Sequence, residues 1–117
     1  MSRFEALRRG DLVWASPDPA VGSEQRGRRP ALVVASTEYL RHLGRLAVVL
    51  PVTSRARGWP THVPLRGSEV GLGVPSFAMT EQVRTIDRLR IEGLFGRVDA
   101  ATLRDIDFWL RNHLSLN

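Results

Sequence analysis

Short apolar runs separated by turn signals make up most of this chain, and they predict β-strands. Seven runs rich in Val, Leu and Ile lie between Gly-, Pro- and Asp-containing turns. They span residues 11–15, 30–36, 45–53, 61–65, 75–80, 82–87 and 90–97. The stretches 31–35 and 46–50 are apolar on both faces, which is typical of central strands. The pattern therefore predicts a mainly β fold, either a small β-barrel or two packed sheets.

The last segment of the chain changes to helical periodicity. Asp99 is a good helix N-cap, and charged residues fill the other faces of the segment that follows. An apolar stripe recurs at helical spacing, at Leu103, Ile106, Leu110 and Leu114. A further short helix is expected at residues 37–43, and the glycines of residues 90–97 suggest a bent strand. We expect residues 1–117 to form a single domain, mainly β (α+β by strict count) with a C-terminal α-helix.

Composition excludes several classes of chemistry. The chain has no cysteine, so disulfides and thiolate sites are excluded. Its three histidines, His42, His62 and His113, lack metal-ligand spacing, and we expect neither a metal nor another cofactor. No run approaches the roughly 18 apolar residues that a membrane span needs. The first residues lack the apolar core of a signal peptide, so we expect a cytoplasmic protein without membrane association.

Positive charge is concentrated in the first half of the chain. The net charge is +5, and all 17 basic residues are arginines. Residues 1–62 hold ten Arg and five acidic residues, whereas residues 63–117 hold seven of each. Such an excess is expected for a face that binds a polyanion, although arginines scattered for solubility are the simpler alternative.

Two polar segments are candidate sites. The loop from Gly22 to Pro30 holds one carboxylate and three guanidiniums directly before a buried strand, where phosphate is the natural ligand because Arg matches its geometry. The second segment, residues 51–60, ends a strand with the hydroxyls of Thr53 and Ser54 and continues into a basic loop that contains Trp59. It suits contacts to RNA phosphates and a stacked base, or it is an ordinary hairpin with Trp59 folded back on the barrel.

Four segments in this order resemble the MazF/PemK family of toxins from toxin–antitoxin pairs. They are Gly10-Asp11-Leu12-Val13-Trp14, Gly22-Ser23-Glu24-Gln25 with Arg29-Pro30, Pro51-Val52-Thr53 and Glu81-Gln82-Val83-Arg84-Thr85-Ile86-Asp87. The resemblance extends from about residue 8 to residue 115.

The resemblance implies a fold, an activity and partners. It implies an SH3-like β-barrel of the CcdB/PemK type with a C-terminal helix, acting as a homodimer. It implies a sequence-selective, metal-independent endoribonuclease that cleaves single-stranded RNA and inhibits translation. The RNA 2′-OH attacks the adjacent phosphorus, leaving 2′,3′-cyclic phosphate and 5′-OH ends. A cognate antitoxin with an acidic tail occupies the RNA groove.

Matched position by position, the resemblance implies catalytic roles for Arg29, Thr53 and Glu24. A guanidinium stays protonated at neutral pH because its pKa is above about 12, so Arg29 suits stabilising the phosphorane better than acting as a base. Thr53 is expected to share that oxyanion. Glu24 is expected either to accept the 2′-OH proton or to hold Arg29. The PemK-type Arg and Asp positions hold Met79 and Glu81 here, which favours the MazF-type mechanism.

The remaining site residues are expected to contact RNA, and two other functions stay open. The expected contacts are Gln25, Arg28, Ser54, Arg55, Arg57, Trp59, Glu81 and Arg84. Glu81 is alternatively a structural acid, and Trp14 is expected to face the core. One alternative function is a gyrase-poisoning toxin of the CcdB type, although that type acts through a tryptophan near its C-terminal end, whereas the last residues here are His113-Leu114-Ser115-Leu116-Asn117. The other is a nucleic-acid-binding barrel without catalysis.

Overall fold

One antiparallel sheet of seven strands dominates the computed structural model, which describes residues 7–16 and 27–116. The strands are β1 (Asp11–Ala15), β2 (Arg29–Val33), β3 (Leu46–Thr53), β4 (His62–Pro64), β5 (Phe77–Met79), β6 (Arg84–Asp87) and β7 (Ile91–Arg97). The helices are α1 (Thr37–His42) and α2 (Ala100–Leu114), with 3₁₀ turns at Thr80–Gln82 and Arg88–Arg90. Each predicted strand and both predicted helices are therefore confirmed.

Strand β3 is the longest strand and organises the sheet. The order is β4-β5-β3-β2-β1-β7, with β6 also paired to β3. The first half of β3 pairs with β6 (Val49 opposite Arg84), and its end pairs with β5 (Val52 opposite Ala78). Pro51 lies where β3 changes partner and has no N–H to donate there. Strands β2 and β3 are central, as the apolar pattern predicted.

The end strands β4 and β7 do not pair with each other in the described part of the chain, so the sheet is not closed by hydrogen bonds. The structure thus confirms an antiparallel sheet with a C-terminal helix and does not show the SH3-like barrel closure. In that same part of the chain no helix is long and apolar enough to cross a membrane.

The sheet buries apolar side chains on both faces because neighbouring residues of a strand point to opposite sides. Val13, Val33 and Val49 belong to the cluster on one face, which α1 covers through Leu40. On the other face, a second cluster packs against α2 at Ile106. Its strand residues include Leu12, Leu32 and Leu50. The double burial explains why β2 and β3 lack the polar alternation of a surface strand.

Strand β7 bends, as its glycines suggested. Its register against β1 shifts twice, between Leu12 and Val13 and between Trp14 and Ala15. At Gly96 a Cβ atom would lie 2.5 Å from two backbone carbonyl oxygens of the preceding loop, so no other residue fits there. The bend brings that loop, residues 66–73, against the end of the strand.

Polar side chains form hydrogen bonds with the backbone groups at the helix ends. The Asp99 carboxylate caps α2, accepting from the Thr102 backbone N–H at 2.8 Å and from the Thr102 hydroxyl at 2.7 Å. These hydrogen bonds lower the pKa of Asp99. The buried Arg88 guanidinium donates to the carbonyls of Leu40 and Leu43, at the C-terminal end of α1, where carbonyls lack helical partners.

Candidate functional site

Arg29 and Thr53 lie on the same face of the sheet. Arg29 begins β2 and pairs with Ala15 of β1. On its other side, β2 pairs with β3 in a register that puts Ala31 opposite Pro51. The β2–β3 pairing ends at Ala31 and Pro51, so Arg29 and Thr53 each lie two residues beyond the last paired residues, at neighbouring ends of the two strands.

Arg29 lines a cleft on this face together with two more arginines, and we call it the arginine cleft. It encloses about 100 Å³. Its guanidinium-bearing residues are Arg29, Arg84 and Arg90, which come from three different segments. The apolar residues and one serine that complete it are Ala15, Ser16, Pro30, Ala31, Val49, Pro51 and Ile86. A small cleft with apolar walls and basic edges has room for a phosphate group rather than a base.

The charges of the arginine cleft are not neutralised within the described residues. No ion pair there joins Arg29, Arg84 or Arg90 to a carboxylate. Buried apolar side chains, such as Val49 and Ile86, reduce the local dielectric next to these charges. Three like charges around one cleft repel each other, and an anion placed between them relieves that repulsion. The cleft is therefore suited to binding an anion.

Arg90 is a cleft residue that the sequence analysis missed. Its Nε donates to the Ser16 carbonyl at 3.0 Å, and its own carbonyl accepts from the Ser16 backbone N–H at 2.7 Å. This double link orients the guanidinium and leaves its terminal nitrogens available to a ligand. No feature of the local sequence identifies Arg90 as a site residue, because its position beside Arg29 depends on the pairing of β7 with β1.

The Thr53 hydroxyl is oriented by the loop that follows it. Its Oγ1 accepts a hydrogen bond from the Arg55 backbone N–H at 3.1 Å. A hydroxyl that accepts in this way keeps its hydrogen for donation. Thr53 itself is half-buried and is not among the residues that line the arginine cleft. Ser54, Arg55 and Arg57 follow in the exposed β3–β4 loop, which we define as residues 54–61.

Trp59 projects from the β3–β4 loop and is 50 % exposed. Its ring centroid is 4.8 Å from that of His62, and the Arg57 guanidinium carbon lies 5.8 Å from its centroid. The indole therefore packs back on the protein in part, as the hairpin alternative expected. Half of its surface stays accessible to a stacked base.

Glu81 lies beside the β3–β4 loop, in the 3₁₀ turn before β6, and does not line the arginine cleft. One of its carboxylate oxygens accepts from the Thr61 hydroxyl at 2.9 Å, and the other lies 2.9 Å from His62 Nε2. Burial raises the pKa of Glu81, but hydrogen bonds from its own backbone, His62 and Thr61 outweigh that and lower it overall. Glu81 is thus ionised and anchored to β4.

Arg28 and Trp14 lie together, away from the arginine cleft. The Arg28 guanidinium carbon is 5.0 Å from the Trp14 ring centroid, and Trp14 packs on Phe95 at 4.5 Å. Trp14 is half-buried and packs on Phe95, which lies against the second core cluster, so Trp14 lies at the edge of that core rather than within it. Glu24 and Gln25, both predicted for the site, lie outside the described residues.

A search of residues 7–16 and 27–116 for metal ligands finds no group of three or more His, Asp or Glu side chains that could hold an ion. The fold and the arginine cleft together define a small antiparallel-sheet protein with a basic cleft on one face. Residues 8–114 match the family described as PemK-like, MazF-like toxin of type II toxin–antitoxin system. The chain belongs to this family, as the four sequence segments had indicated.

Named relatives agree with this assignment. The chain is 40 % identical over 115 residues to Endoribonuclease MazF9 of Mycobacterium tuberculosis, covering 94 % of this chain and 98 % of the relative. It is 32 % identical over 112 residues to Endoribonuclease EndoA of Bacillus subtilis, covering 94 % and 96 %.

A solved structure extends the similarity to the fold. A crystal structure of MazE–MazF from Deinococcus radiodurans matches with a TM-score of 0.79 and 33 % identity, covering 95 % of this chain and 97 % of that chain. The sheet with its C-terminal helix is therefore a MazF-like fold.

Proposed function

We propose that this chain is the endoribonuclease toxin of a toxin–antitoxin pair and that it cleaves single-stranded RNA without a metal ion. The observation that supports this most strongly is the arginine cleft: three guanidiniums without carboxylate partners among the described residues, with Thr53 at the neighbouring end of β3. Endoribonuclease relatives that cover nearly the whole chain supply the reaction class.

The proposed reaction is an internal transfer at one phosphodiester. The ribose 2′-oxygen forms a bond to the adjacent phosphorus, and the bond from phosphorus to the 5′-oxygen breaks. The products are a 2′,3′-cyclic phosphate and a 5′-OH end. The 2′-OH proton leaves to a base, and the departing 5′-oxygen gains a proton. The 2′-OH requirement makes the substrate RNA rather than DNA.

Arg29 and Thr53 stabilise the developing charge. As the phosphorus becomes five-coordinate, its equatorial oxygens gain negative charge that a fixed guanidinium neutralises. Arg29 stays protonated throughout, so it acts as a hydrogen-bond donor to the oxyanion and to the leaving 5′-oxygen. The Thr53 hydroxyl donates to the same oxyanion. Arg84 and Arg90 hold the phosphate, or its neighbour, in the arginine cleft.

Glu24 is the proposed acceptor of the 2′-OH proton, or the group that holds Arg29. A carboxylate suits the first role because its pKa can be raised toward neutrality by burial. Glu24 precedes Arg29 by five residues in the sequence.

Beyond the scissile phosphate, the RNA strand follows basic and aromatic residues away from the arginine cleft. Arg55, Arg57 and Trp59 on the β3–β4 loop contact backbone and bases. Further contacts come from Gln25, Arg28, Ser54 and Glu81. An unpaired strand is the proposed substrate, because in-line attack needs a backbone that is free of duplex geometry.

Partners follow from the same family. The MazE–MazF crystal structure shows that a relative assembles with MazE. We propose that a cognate antitoxin blocks the cleft of this chain, that the toxin works as a homodimer, and that release of the toxin in the cytoplasm inhibits translation.

A cleavage experiment tests the proposal. Purified protein is incubated with single-stranded RNA in excess EDTA, and the new ends are mapped. We expect cleavage with 5′-OH ends, and none when the scissile nucleotide carries a 2′-deoxy sugar. Cleavage of the deoxy substrate, or 5′-phosphate ends, would contradict the mechanism. Binding without cleavage would support a non-catalytic barrel instead.

A further inference from the structure

His62 is a buried histidine that the proposed reaction does not use. It begins β4, and its side chain is 2 % exposed. Its Nε2 lies 2.9 Å from Glu81, whose other carboxylate oxygen is held by Thr61. The Trp59 ring packs against its imidazole at 4.8 Å between centroids. One buried ring thus joins the 3₁₀ turn before β6 to the tip of the β3–β4 loop.

The hydrogen bond to Glu81 determines how the imidazole is held. A carboxylate only accepts, so the hydrogen must be on His62 Nε2. Nδ1 is then left buried and has no hydrogen-bond partner among the described residues. An unpaired buried polar atom is unfavourable, so packing and the Glu81 contact must compensate for it. The ring has one satisfied orientation, with Nε2 toward Glu81.

A fixed imidazole also fixes the surface on which Trp59 rests. The Trp59 carbonyl accepts from the His62 backbone N–H at 3.1 Å, so the two residues are joined by a turn as well as by their rings. Thr80 adds an anchor beneath them, because its hydroxyl donates to the Thr61 carbonyl at 2.7 Å. The free half of the Trp59 indole is therefore presented in one direction.

We propose that His62 is a positioning residue for RNA binding, which holds Trp59 in the orientation that receives an unpaired base. The inference rests on the proposed RNA-cleaving function for the identity of the ligand. His62 itself does not touch the RNA. It acts through Trp59, and the Glu81 carboxylate acts through His62. Its effect falls on substrate binding rather than on the bond-breaking step at Arg29.

The first test needs no RNA. His62→Gln keeps a donor to Glu81 but removes the ring beneath Trp59. In a background with Trp14→Phe and Trp109→Phe, Trp59 is the sole tryptophan, and acrylamide quenching reports its exposure. We expect His62→Gln to raise the quenching constant about twofold, since roughly half of the indole is covered in the parent. An unchanged quenching constant overturns the proposal.

His113 provides a matched control. Its Nε2 lies 3.1 Å from the Thr80 hydroxyl and its ring stacks on Trp109 at 6.0 Å, so it also combines one polar contact with an aromatic neighbour. It lies on α2 and reaches the β3–β4 loop only indirectly, through the Thr80 hydroxyl that also donates to the Thr61 carbonyl. His113→Gln should therefore change Trp59 quenching and RNA affinity much less than His62→Gln does.

The second test is a double-mutant cycle on RNA binding. The probe is the RNA cleaved in the experiment above, with a 2′-deoxy sugar at the scissile position. Loss of one stacked base costs about 1–3 kcal/mol, so Trp59→Ala should weaken binding about 5- to 150-fold. His62→Gln should weaken binding of this probe several-fold, and with the cleavable all-ribose RNA it should raise KM several-fold with kcat unchanged. In the Trp59→Ala background it should add less than twofold.

The outcomes separate the two proposals. If the wild-type protein does not cleave RNA, the proposed function fails, while the quenching experiment still decides whether His62 positions Trp59. If the protein cleaves RNA but His62→Gln weakens binding equally in both backgrounds, His62 does not act through Trp59. Should His62→Gln fail to fold, the isosteric Thr61→Val removes one donor to Glu81 instead. It should raise Trp59 quenching by a smaller factor, and no increase overturns the proposal.

Discussion

Arginines near α2 and at the start of β1 have carboxylate partners, whereas those of the arginine cleft have none among the described residues. Arg97 pairs with the buried Asp11 at 2.5 Å. Two more ion pairs, between Arg9 and Asp107 and between Arg66 and Asp105, join α2 to the rest of the molecule. The residue type is the same in both regions. The presence or absence of a carboxylate partner therefore distinguishes a structural guanidinium from one that is available to a ligand.

Cavity size alone does not identify the site. A larger cavity of about 620 Å³ lies beside β7 and includes both Asp11 and Arg97, together with Glu69. Carboxylates there oppose an incoming polyanion, and the positive charge of Arg97 is already compensated. The arginine cleft is about six times smaller, but its arginines have no carboxylate partner within residues 7–16 and 27–116. For a phosphate ligand, the charge of a cavity is therefore a better guide to the site than its volume.

The largest expected difference between the two regions is in catalysis. Arg29→Ala should lower the cleavage rate in EDTA about 10²- to 10³-fold, because it removes one preorganised donor to the oxyanion. Arg66→Ala, which removes a paired arginine, should stay within about twofold of wild type by the same assay. Arg29→Lys should recover little, since a point charge lacks the guanidinium fork. Undiminished cleavage by folded Arg29→Ala would remove the proposed mechanism.

The free energy of unfolding, in contrast to catalysis, should depend on the arginines that have carboxylate partners. Arg97→Ala leaves the Asp11 carboxylate buried without its charge partner, and we expect a loss of about 2–3 kcal/mol in the free energy of unfolding. Urea titration at neutral pH measures it. Arg45→Ala is the control, because its pair with Asp87 is exposed and should contribute at most about 0.5 kcal/mol. Equal losses in the two variants would contradict the distinction.

The salt dependence of RNA affinity provides another way to compare cleft arginines with paired ones. If Arg84 neutralises one phosphate of a single strand, Arg84→Ala should reduce the slope of log affinity against log salt by about 0.7. Removal of the paired Arg66 should leave the slope unchanged. Binding of the 2′-deoxy RNA across a salt series provides the measurement. A slope unaffected by Arg84→Ala would place Arg84 outside the phosphate path.

Glu81 gives the smallest expected effect and represents a third case, a carboxylate held by a histidine and a hydroxyl rather than by an arginine. Its pKa is lowered in the folded protein, so its ionised form contributes stability above its ordinary value of 4.5. That contribution is lost as the pH falls through the folded-state pKa. Wild type should therefore lose more stability between pH 7 and pH 3 than Glu81→Gln, as urea midpoints will show. Identical losses would mean that Glu81 is not held as described.

Much of the fold was predictable because its causes are local. Short apolar runs, turns and the Asp99 cap each act over a few residues, and every predicted strand and helix is present. Arg29 and Thr53 could also be identified as candidate site residues from the sequence, since each stands at one end of an apolar run. Barrel closure was not predictable in this way, because it depends on which strands meet at the sheet's ends. The partial burial of Trp14 was not predictable for a related reason: its neighbours Arg28 and Phe95 come from separate segments.

By itself, the sequence determined the elements, the positive balance of the first half and the family to which the chain belongs. The tertiary structure alone decided which arginines share a cleft and which are neutralised. Arg29 and Arg90 are distant in the chain and meet because β1 pairs with both β2 and β7. His62 likewise meets Glu81 only because β4 and the turn before β6 are brought together. Strand pairing sets these distances, and charge interactions depend on distance rather than on sequence separation.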